Sequence, residues 1–442
     1  MAFPYRTYDL AQGVLQLVGP ALVPRIAGPD SKLARGLRGR VDAERRLVDW
    51  AADERDSSLP LVWLHAPSVG EGLQARSVLE ALVEVAPAFQ SVFTYFSPSA
   101  ESLGEAMPVD VSGYLPWDRR GAVRSVLEAL NPSLLVFTKT EAWPVLSREA
   151  RRRGIPVVLV AGTLPPDAGR LKLPSRLLLR SVFGGLDRVL AISGEDGRRF
   201  RRLGVAQERV VVTGDPAIDS AFVRIQAADP EAPYLAPFHS DPRPTIVAGS
   251  TWEPDESVLI PALARLAGSL PEVRAIIAPH EPTPGHLERL EDALSDAGFK
   301  CVRLGVIEAA GAMGDAQVVV VDRVGVLAHL YTVGNVAYVG GGFHRHGLHS
   351  VLEPASAGLP VTFGPGHSNA RAAADLLAAG GGVEVANTGE LTDALARWLT
   401  PPERGKEAGS EALGYIREHV GAARRSADLL ATFMAGRNRG PG

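Results

Sequence analysis

From about residue 60 onwards, short apolar runs alternate with longer segments that have helical spacing. Runs such as LVWLHA (61–66) and LLVFT (134–138) contain few polar residues, which is typical of strands buried on both faces of a parallel sheet. The segments between them, such as RRGAVRSVLEAL, repeat apolar residues at the spacing of an amphipathic helix. The alternation therefore predicts an α/β fold in which helices cover both faces of parallel sheets.

This alternation breaks once, at about residues 221–243, where the sequence is rich in Pro and Ala and has no strand or helix period. It restarts at TIVAGS (245–250). The chain of 442 residues is therefore expected to form two Rossmann-like, doubly wound domains that face a central cleft, because such sheets bind ligands outside the carboxyl ends of their strands. The expected divisions are an N-terminal helical segment at 1–45, a first domain at 46–225, a linker at 226–243, a second domain at 244–410, a C-terminal helix at 411–435 and a tail at 436–442.

The charge and cysteine content exclude several classes of function. A formal net charge of -4 argues against a general nucleic-acid binder, which usually has a basic excess. The single cysteine, Cys301, excludes an internal disulfide and a zinc site made of several cysteines. The sequence contains neither a Walker phosphate loop nor an Asp-x-Asp motif, so we expect chemistry without a metal or another cofactor.

The N-terminal segment has the composition of a helix at a membrane surface. Residues 8–23 are mostly apolar, although the stretch is interrupted by polar residues and is short for a span of about 20 residues. Basic residues follow it: Arg25, Lys32, Arg35, Arg38 and Arg40. A helix that lies in the interface, with its cations near anionic headgroups, fits this pattern. A soluble amphipathic helix packed on the protein fits it equally well.

The first candidate for chemistry is the strand-to-helix junction HAPSVGE (65–71). Gly70 permits close approach of a backbone, and Glu71 lies in the first turn of the helix, where the helix terminus favours its ionised form. A carboxylate in this place can act as a general base towards a sugar hydroxyl. The alternative is a solvated first-turn residue without a further role, and His65 is expected to be a satisfied residue at the end of the strand.

A second junction of the first half, TKTEAWP (138–144), is expected at the same edge of the sheet. Here Glu141 would bind acceptor hydroxyls or orient Glu71. In the alternative interpretation Thr140 caps the helix and Trp143 belongs to the core.

In the second half, VAGSTWEPDES (247–257) mirrors the first junction. Gly249, Ser250 and Thr251 would supply backbone and hydroxyl donors before a helix that starts near Pro254, and such a helix start binds anions such as a nucleotide phosphate. A capped helix without a ligand is the alternative. The stretch IIAPHEPTP places His280 and Glu281 after a strand, either near the donor or in an ordinary polar loop.

The stretch GGGFHRHGLHSVLEPASAGLPVTFGP (340–365) carries the densest signal. Gly347 and Leu348 would begin a helix whose N–H groups bind phosphate, and Glu353 would bind ribose hydroxyls. The stretch also contains His344, His346 and His349, which permit a zinc interpretation that their place in a glycine-rich turn disfavours.

Taken together and in this order, the junctions resemble the bacterial 3-deoxy-D-manno-octulosonate (Kdo) transferases of lipopolysaccharide synthesis. The basic, apolar N-terminus also looks like the membrane-binding segment of that family. The matching stretches cover both halves: HAPSVGE, TYFSPS (94–99), GYLPWD (113–118), TKTEAWP, GIPVVLVAG (154–162), VAGSTWEPDE, IIAPHEP and residues 340–365.

The resemblance implies a GT-B fold and the inverting transfer of Kdo from the donor substrate CMP-Kdo to a lipid A precursor, lipid IVA, on the cytoplasmic face of the inner membrane. It implies that Glu71 is the catalytic base. The first half would bind the acceptor through Ser68, Gly70, Ser97, Lys139, Thr140 and Glu141. The second half would bind the nucleotide sugar through Gly249, Ser250, Thr251, His280, Glu281, Gly342, His346, Gly347, Leu348, His349 and Glu353.

The sequence also departs from the family pattern. Family members often carry Glu-Thr-Glu-Leu-Trp-Pro where this chain begins with Lys139, and Ser350 stands where an Asn is usual. Asp215-Pro216-Ala217 lacks the usual Lys, and Thr163-Leu164-Pro165 replaces an Arg-Leu-Ser stretch. Two other functions are compatible with the sequence: a GT-B protein acting on a different nucleotide sugar or acceptor, such as an epimerase, or a scaffold that binds sugar nucleotides or lipids without catalysis.

Overall fold

The computed structural model describes residues 3–28 and 30–437, which form two compact units. The first unit runs to Ser220 and also contains the chain from Gly421 onwards, and the second unit is Ala221–Val420. Most of the tail expected at 436–442 lies outside the described residues.

The sheet of the first unit consists of seven parallel strands. They are β1 (Leu61–Ala66), β2 (Gln90–Tyr95), β3 (Val111–Tyr114), β4 (Leu134–Thr138), β5 (Val157–Gly162), β6 (Arg188–Ala191) and β7 (Val210–Val212). Their order across the sheet is β3-β2-β1-β4-β5-β6-β7. Six of them coincide with the apolar runs of the sequence, whereas β3 was not predicted because its four residues, VSGY, include a Ser and a Gly.

The second unit contains a second sheet of seven parallel strands. They are β8 (Thr245–Thr251), β9 (Arg274–Pro279), β10 (Cys301–Arg303), β11 (Val318–Val320), β12 (Val336–Val339), β13 (Val361–Phe363) and β14 (Gly382–Glu384). Their order is β10-β11-β9-β8-β12-β13-β14. Each of the seven coincides with an apolar run of the sequence, of which TIVAGS is the first.

Helices cover both faces of each sheet. Their bounds are α1 (Tyr5–Ala27), α2 (Lys32–Gly39), α3 (Ala43–Glu54), α4 (Val69–Val85), α5 (Glu101–Glu105), α6 (Arg120–Leu130), α7 (Pro144–Arg152), α8 (Ser175–Phe183), α9 (Gly194–Arg202), α10 (Pro216–Gln226), α11 (Ala236–Ser240), α12 (Glu253–Ser269), α13 (Pro284–Asp296), α14 (Leu304–Ala310), α15 (Leu327–Leu330), α16 (Leu352–Ser356), α17 (Arg371–Ala379), α18 (Thr388–Leu399), α19 (Pro402–His419) and α20 (Ala422–Arg437). Two apolar cores result in each unit, one on either face of the sheet, as the α/β prediction requires.

Two details of the predicted organisation are wrong. The stretch expected to be a linker contains α11, and its Leu235 and Phe238 are buried in a core of the second unit. The single C-terminal helix expected at 411–435 is two helices, α19 and α20, separated at Gly421, whose φ of +95° is incompatible with a continuing helix. Helix α20 packs against α4 and so belongs to the first unit.

Helix α1 has 23 residues, which corresponds to a length of about 34 Å at 1.5 Å per residue. It is therefore longer than the apolar run suggested, and among the described residues it is the one helix that length and composition alone would allow to cross a membrane. One side of α1 is fixed to the first unit, because Asp9 accepts a hydrogen bond from the backbone N–H of Arg120 (2.6 Å) and Gln16 accepts one from Arg119 (2.6 Å).

Candidate functional site

The polar residues predicted for the first unit lie together at the carboxyl ends of three adjacent strands, β2, β1 and β4. The chain order reverses between β1 and β4, which is the place where open parallel sheets form a ligand-binding crevice. The backbone N–H of Ser97 donates to the carbonyl of Pro67 (2.8 Å), so the β2–α5 turn lies beside Ser68. A Cβ at Gly70 would meet no heavy atom within 4 Å, so the space above the first turn of α4 is open.

Glu71 has partners on both carboxylate oxygens. Lys139 Nζ donates to Oε1 at 2.8 Å, and the hydroxyl of Ser68 donates to Oε2. Burial acts to raise the pKa of Glu71, but the charge of Lys139 and these two hydrogen bonds outweigh it, so the pKa lies below its ordinary value. The side chain is therefore an ionised carboxylate, and 14% of its surface is exposed to solvent.

Lys139 follows directly after β4 and has a left-handed backbone, with φ at +66°. Such a conformation costs a residue with a side chain about 1–3 kcal/mol and persists only where its surroundings impose it. Here the N–H of Lys139 donates to the carbonyl of Val160 (2.8 Å), and its carbonyl accepts from the N–H of Thr163 (3.3 Å). The neighbouring strand β5 thus fixes the point from which the lysine side chain leaves the sheet.

Glu141 lies in the same turn but does not hydrogen-bond to Glu71. Its charged partner is Arg170, 3.5 Å away, and burial together with the charge of Glu71 raises its pKa against the effect of that arginine. The alternative in which Thr140 caps the following helix is wrong, because α7 begins at Pro144 and its first N–H groups donate to Asp118.

A buried hydrogen-bond chain supports this turn from below. Trp143 Nε1 donates to His65 Nε2 (3.0 Å), and His65 Nδ1 lies 3.1 Å from the hydroxyl of Thr94. Burial lowers the pKa of His65 to about 3, so the ring is neutral and satisfied, as expected for a residue at the end of a strand. Trp143 is only half-buried but packs against a core of the first unit, so the interpretation that places it in the core holds for the packed side of the ring.

Asp118 was not predicted, although GYLPWD belongs to the stretches that carry the family resemblance. Its carboxylate accepts from the N–H groups of Val145 (3.1 Å) and Leu146 (2.8 Å), so it caps α7 directly after the candidate turn. Complete burial raises the pKa of Asp118 to about 6 against the opposing effect of these bonds and of Arg40.

In the second unit, Gly249, Ser250 and Thr251 end β8, and α12 begins two residues later, close to the predicted position. Ser250 has a left-handed backbone with φ at +55° and is partly exposed. Thr251, however, is fully buried, and its hydroxyl donates to Glu256 (2.8 Å). The prediction that the Thr251 hydroxyl is a donor for a ligand is therefore wrong, because the fold already uses it.

A second buried acid that was not predicted, Asp255, joins the start of α12 to the glycine-rich turn after β12. Its carboxylate accepts hydrogen bonds from the N–H groups of Trp252 (3.0 Å), Gly341 (2.8 Å) and Phe343 (3.3 Å) and from the hydroxyl of Tyr338 (3.0 Å). Asp255 is completely inaccessible to solvent, so these donors have no competing water. The two predicted parts of the nucleotide site are thus held together by one carboxylate.

Four imidazole rings surround Trp252. The rings of His280, His344 and His346 lie with their centroids 4.6, 4.4 and 5.9 Å from the indole, and His349 Nε2 accepts from the indole N–H at 3.0 Å. Burial and the neighbouring imidazoles lower the pKa of His349 to about 4. The rings stack on one another, and no group of three metal-binding side chains converges anywhere in the described part of the chain. His280 is half-buried, whereas Glu281 is exposed.

The helix expected to begin at Gly347 and Leu348 does not form, and this prediction is wrong. Gly347 lies in a turn with φ at +82°, and the N–H of Leu348 is taken by Asn369 (3.0 Å) and Gly366 (3.1 Å), so it is not a donor for phosphate. The backbone at Gly342 lies so close to the backbone of Gly364 that only glycine fits, because a Cβ at position 342 would lie 2.5 Å from the N of Gly364.

Glu353 lies in the first turn of α16 and accepts a hydrogen bond from Arg224 (2.7 Å). Its carboxylate keeps further lone pairs with which it can accept from a ribose hydroxyl. Gly249 approaches the same region from β8, because a Cβ at this position would lie 2.1 Å from the hydroxyl of Tyr331.

Known proteins resemble this chain along most of its length. Residues 40–220 match the family model described as 3-deoxy-D-manno-octulosonic-acid transferase. The 3-deoxy-D-manno-octulosonic acid transferase of Bordetella pertussis is 29% identical over 388 residues, which are 84% of this chain and 87% of that protein. The enzyme of the same name from Haemophilus influenzae is 25% identical over 379 residues, again 84% and 87% of the two chains.

Among solved structures, the UDP-GlcNAc 2-epimerase of Neisseria meningitidis bound to UDP-GlcNAc superposes with a TM-score of 0.61. It covers 86% of this chain and 100% of its own at 15% identity, which is a likeness of fold alone. The two seven-stranded parallel sheets and this likeness confirm the predicted GT-B fold class. With its motifs in order over both units and relatives aligned along most of its length, the chain is similar to the 3-deoxy-D-manno-octulosonic acid (Kdo) transferases.

Proposed function

We propose that this protein transfers Kdo from CMP-Kdo to a lipid A precursor, lipid IVA, with inversion at the anomeric carbon. The observation that carries the proposal is the ionised carboxylate of Glu71, placed at the reversal point of the first sheet beside open space. Similarity to Kdo transferases over most of the chain supports the choice of sugar.

In this reaction Glu71 acts as the general base. Each oxygen of a carboxylate can accept more than one hydrogen bond, so the bonds from Ser68 and Lys139 leave a lone pair for an acceptor hydroxyl. As Glu71 takes the proton, the hydroxyl oxygen forms a bond to the anomeric carbon, and the bond from that carbon to the phosphate oxygen breaks. The transition state is oxocarbenium-like, as in glycosidic chemistry generally, and CMP leaves with the electron pair.

The second unit supplies the groups that bind the donor. We place the nucleotide phosphate beside Ser250, three residues before the first residue of α12, where the positive end of the helix dipole favours an anion. Glu353 accepts from ribose hydroxyls, and the histidines around Trp252 offer flat faces and ring nitrogens to the base or the sugar. Without an Asp-x-Asp motif in the sequence, we expect turnover to be unchanged by EDTA.

For the acceptor, we propose that Ser68, Ser97, Thr140 and Glu141 contact lipid IVA and that the protein is peripheral on the cytoplasmic face of the inner membrane. The outer side of α1 supports this location, because Leu10, Leu17 and Ile26 are 70%, 79% and 76% exposed. A face of this kind gains free energy when it enters the headgroup boundary.

The location is tested by co-sedimentation with vesicles that contain anionic phospholipid. The double variant Leu10→Gln/Leu17→Gln should remain in the supernatant, whereas Val223→Gln, an exposed apolar residue of α10, should sediment like the wild type. Equal sedimentation of all three proteins contradicts a role for α1.

The catalytic proposal is tested by Glu71→Gln with CMP-Kdo and lipid IVA as substrates. General-base catalysis contributes about 10²–10⁴-fold, so kcat should fall by that factor while thermal unfolding stays near the parental midpoint. Glu80→Gln on the same helix, whose carboxylate pairs with Arg76, is the matched control and should keep its activity. A Glu71→Gln protein that turns over at the parental rate refutes the mechanism.

The lysine at position 139, where the family motif often has Glu, favours one competing possibility, a different nucleotide sugar or acceptor. Thermal-shift measurements with CMP, UDP and GDP rank the donors directly. The largest stabilisation by UDP or GDP would contradict CMP-Kdo as donor, and binding of CMP without any turnover would favour a non-catalytic scaffold.

A further inference from the structure

The lysine that replaces the first glutamate of the family motif is the direct partner of the candidate base. Lys139 Nζ lies 2.8 Å from Glu71 Oε1, with 41% of the lysine side chain and 14% of the glutamate side chain exposed. The sequence suggested that Lys139 binds the acceptor, but its ammonium group is already engaged within the site.

The backbone fixes this lysine more firmly than an exposed surface lysine. Lys139 holds its left-handed conformation through hydrogen bonds to Val160 and Thr163, so its Cα has a defined position at the end of β4. Because two of the three ammonium protons remain after the bond to Glu71, the group can still meet an anionic atom of a substrate.

Both oxygens of the base are therefore oriented before substrate binds. Ser68, at the start of α4, donates to one oxygen, and Lys139, on the neighbouring strand, donates to the other. Two donors from different elements define the plane of the carboxylate, which one donor alone would leave free to rotate. A base with a fixed plane presents its remaining lone pairs in a fixed direction.

The charges in this part of the first unit balance. Glu71 pairs with Lys139 and Glu141 pairs with Arg170, so the four side chains sum to zero. A glutamate at position 139 would instead place three carboxylates beside one arginine. A phosphorylated acceptor is anionic, and it approaches a neutral group of side chains with less repulsion than an anionic one.

We propose that Lys139 is a positioning residue for the transfer: its ammonium group holds the Glu71 carboxylate in one orientation, keeps it charged and offsets its charge towards an anionic acceptor. This inference rests on the proposed function, because it assumes that Glu71 accepts the proton of the acceptor hydroxyl.

A specific pH dependence follows from the groups that face Glu71, which are Ser68, Lys139 and, through its charge, Glu141. With Lys139 present, the pKa of Glu71 lies below its ordinary value, so the base stays ionised as the pH falls. Without the ammonium group, burial and the charge of Glu141 still raise the pKa of Glu71, and only the hydrogen bonds from Ser68 and from the helix backbone still lower it. The acid limb of kcat/KM, which reports the free enzyme, must then move to higher pH.

The test compares the wild type with Lys139→Met, which keeps the length of the side chain without the charge, and with Lys139→Arg. With CMP-Kdo and lipid IVA, the acid limb of Lys139→Met should shift upwards by about one pH unit or more, and Lys139→Arg should restore the wild-type limb. Lys300→Met removes another lysine–carboxylate pair, Lys300–Asp315 in the second unit, and should leave the limb in place.

A second readout does not depend on turnover. Glu71 can be followed by NMR through its ¹³C-labelled carboxyl carbon, whose signal is assigned by its absence in Glu71→Gln. This signal should titrate at higher pH in Lys139→Met than in the wild type. If the wild type transfers Kdo but neither the limb nor the titration moves, the role of Lys139 is refuted and the proposed function stands. If the wild type transfers no Kdo, the proposed function fails. In that case the titration still tests the inference: an equal Glu71 titration in wild type and Lys139→Met would show that Lys139 does not keep Glu71 ionised.

Discussion

Asp255 offers the sharpest test of how the candidate nucleotide site is held together. In Asp255→Asn one oxygen becomes an NH2 group, which cannot accept a hydrogen bond. If the amide oxygen keeps the N–H groups of Trp252 and Gly341, the new NH2 faces the N–H of Phe343, and that donor loses its partner. The hydroxyl of Tyr338 can rotate and accept instead.

The size of the effect follows from these bonds. Two charge-assisted bonds become neutral, at about 1 kcal/mol each, and one donor is left unsatisfied, at about 1–3 kcal/mol. We therefore expect Asp255→Asn to destabilise the glycine-rich turn by about 3–5 kcal/mol and Asp255→Ala by more. Every 1.4 kcal/mol is a factor of ten in an opening equilibrium, so amide exchange in the turn should accelerate by more than about 100-fold.

Hydrogen exchange measured on peptides that cover residues 340–347 checks this expectation. Glu253→Gln is the matched control, since Glu253 lies in the same first turn of α12 but is exposed and forms its ion pair with Arg289. The control removes a charge from the helix start without touching the turn. Exchange in Asp255→Asn at the rate of the control would refute the reasoning.

Two further perturbations have defined outcomes. The pKa of Asp118 is raised to about 6 from an ordinary value near 3.8. Between these pH values the carboxyl group is protonated in the folded state but ionised in the unfolded state. The contribution of Asp118 to stability therefore falls as the pH rises from about 4 to about 6. In Asp118→Asn the urea midpoint should change less between pH 4.5 and pH 6.5 than in the wild type, and equal changes would contradict the raised pKa. Gly342→Ala would place a Cβ 2.5 Å from the backbone of Gly364 and should lower the free energy of unfolding by at least about 3 kcal/mol. The control is Gly268→Ala, on the exposed side of α12, where a Cβ would meet no atom within 4 Å. In chemical unfolding this control should be neutral or more stable by up to about 1 kcal/mol. A soluble Gly342→Ala protein with the parental unfolding midpoint would show that the two turns can separate at little cost.

The sheets were predictable because their signal is local. Each predicted strand is a run of apolar residues, and a strand buried on both faces needs little else to be recognised. Strand β3 has no such run, since it lies at the edge of its sheet and contains Ser112 and Gly113. The break between α19 and α20 was missed because apolar spacing continues through it, while the glycine that ends α19 looks like any other glycine of a helical stretch.

Site residues at strand ends were predictable to the same extent. The position of Glu71 in the first turn of a helix follows from a strand, a tight turn and a helical period in sequence. Its partner does not, because Lys139 is 68 residues away and reaches it only through the strand order and a left-handed backbone. The buried acids Asp118 and Asp255 were missed for a similar reason: an acid near a helix start is usually solvated, and only the fold reveals that these two are enclosed.

Because the chain leaves the first unit at Ser220 and re-enters it at Gly421, α20, which packs on α4, is synthesised only after the whole second unit. Asp219 precedes the last residue of the first segment and accepts hydrogen bonds from the N–H groups of Gly421 and Ala423. These bonds join the two segments of the first unit at its boundary. On the ribosome, the part of α4 that α20 covers stays exposed until about 200 further residues have been synthesised. A nascent chain stalled before residue 421 should accordingly be a stronger client for chaperones than one that already contains α20.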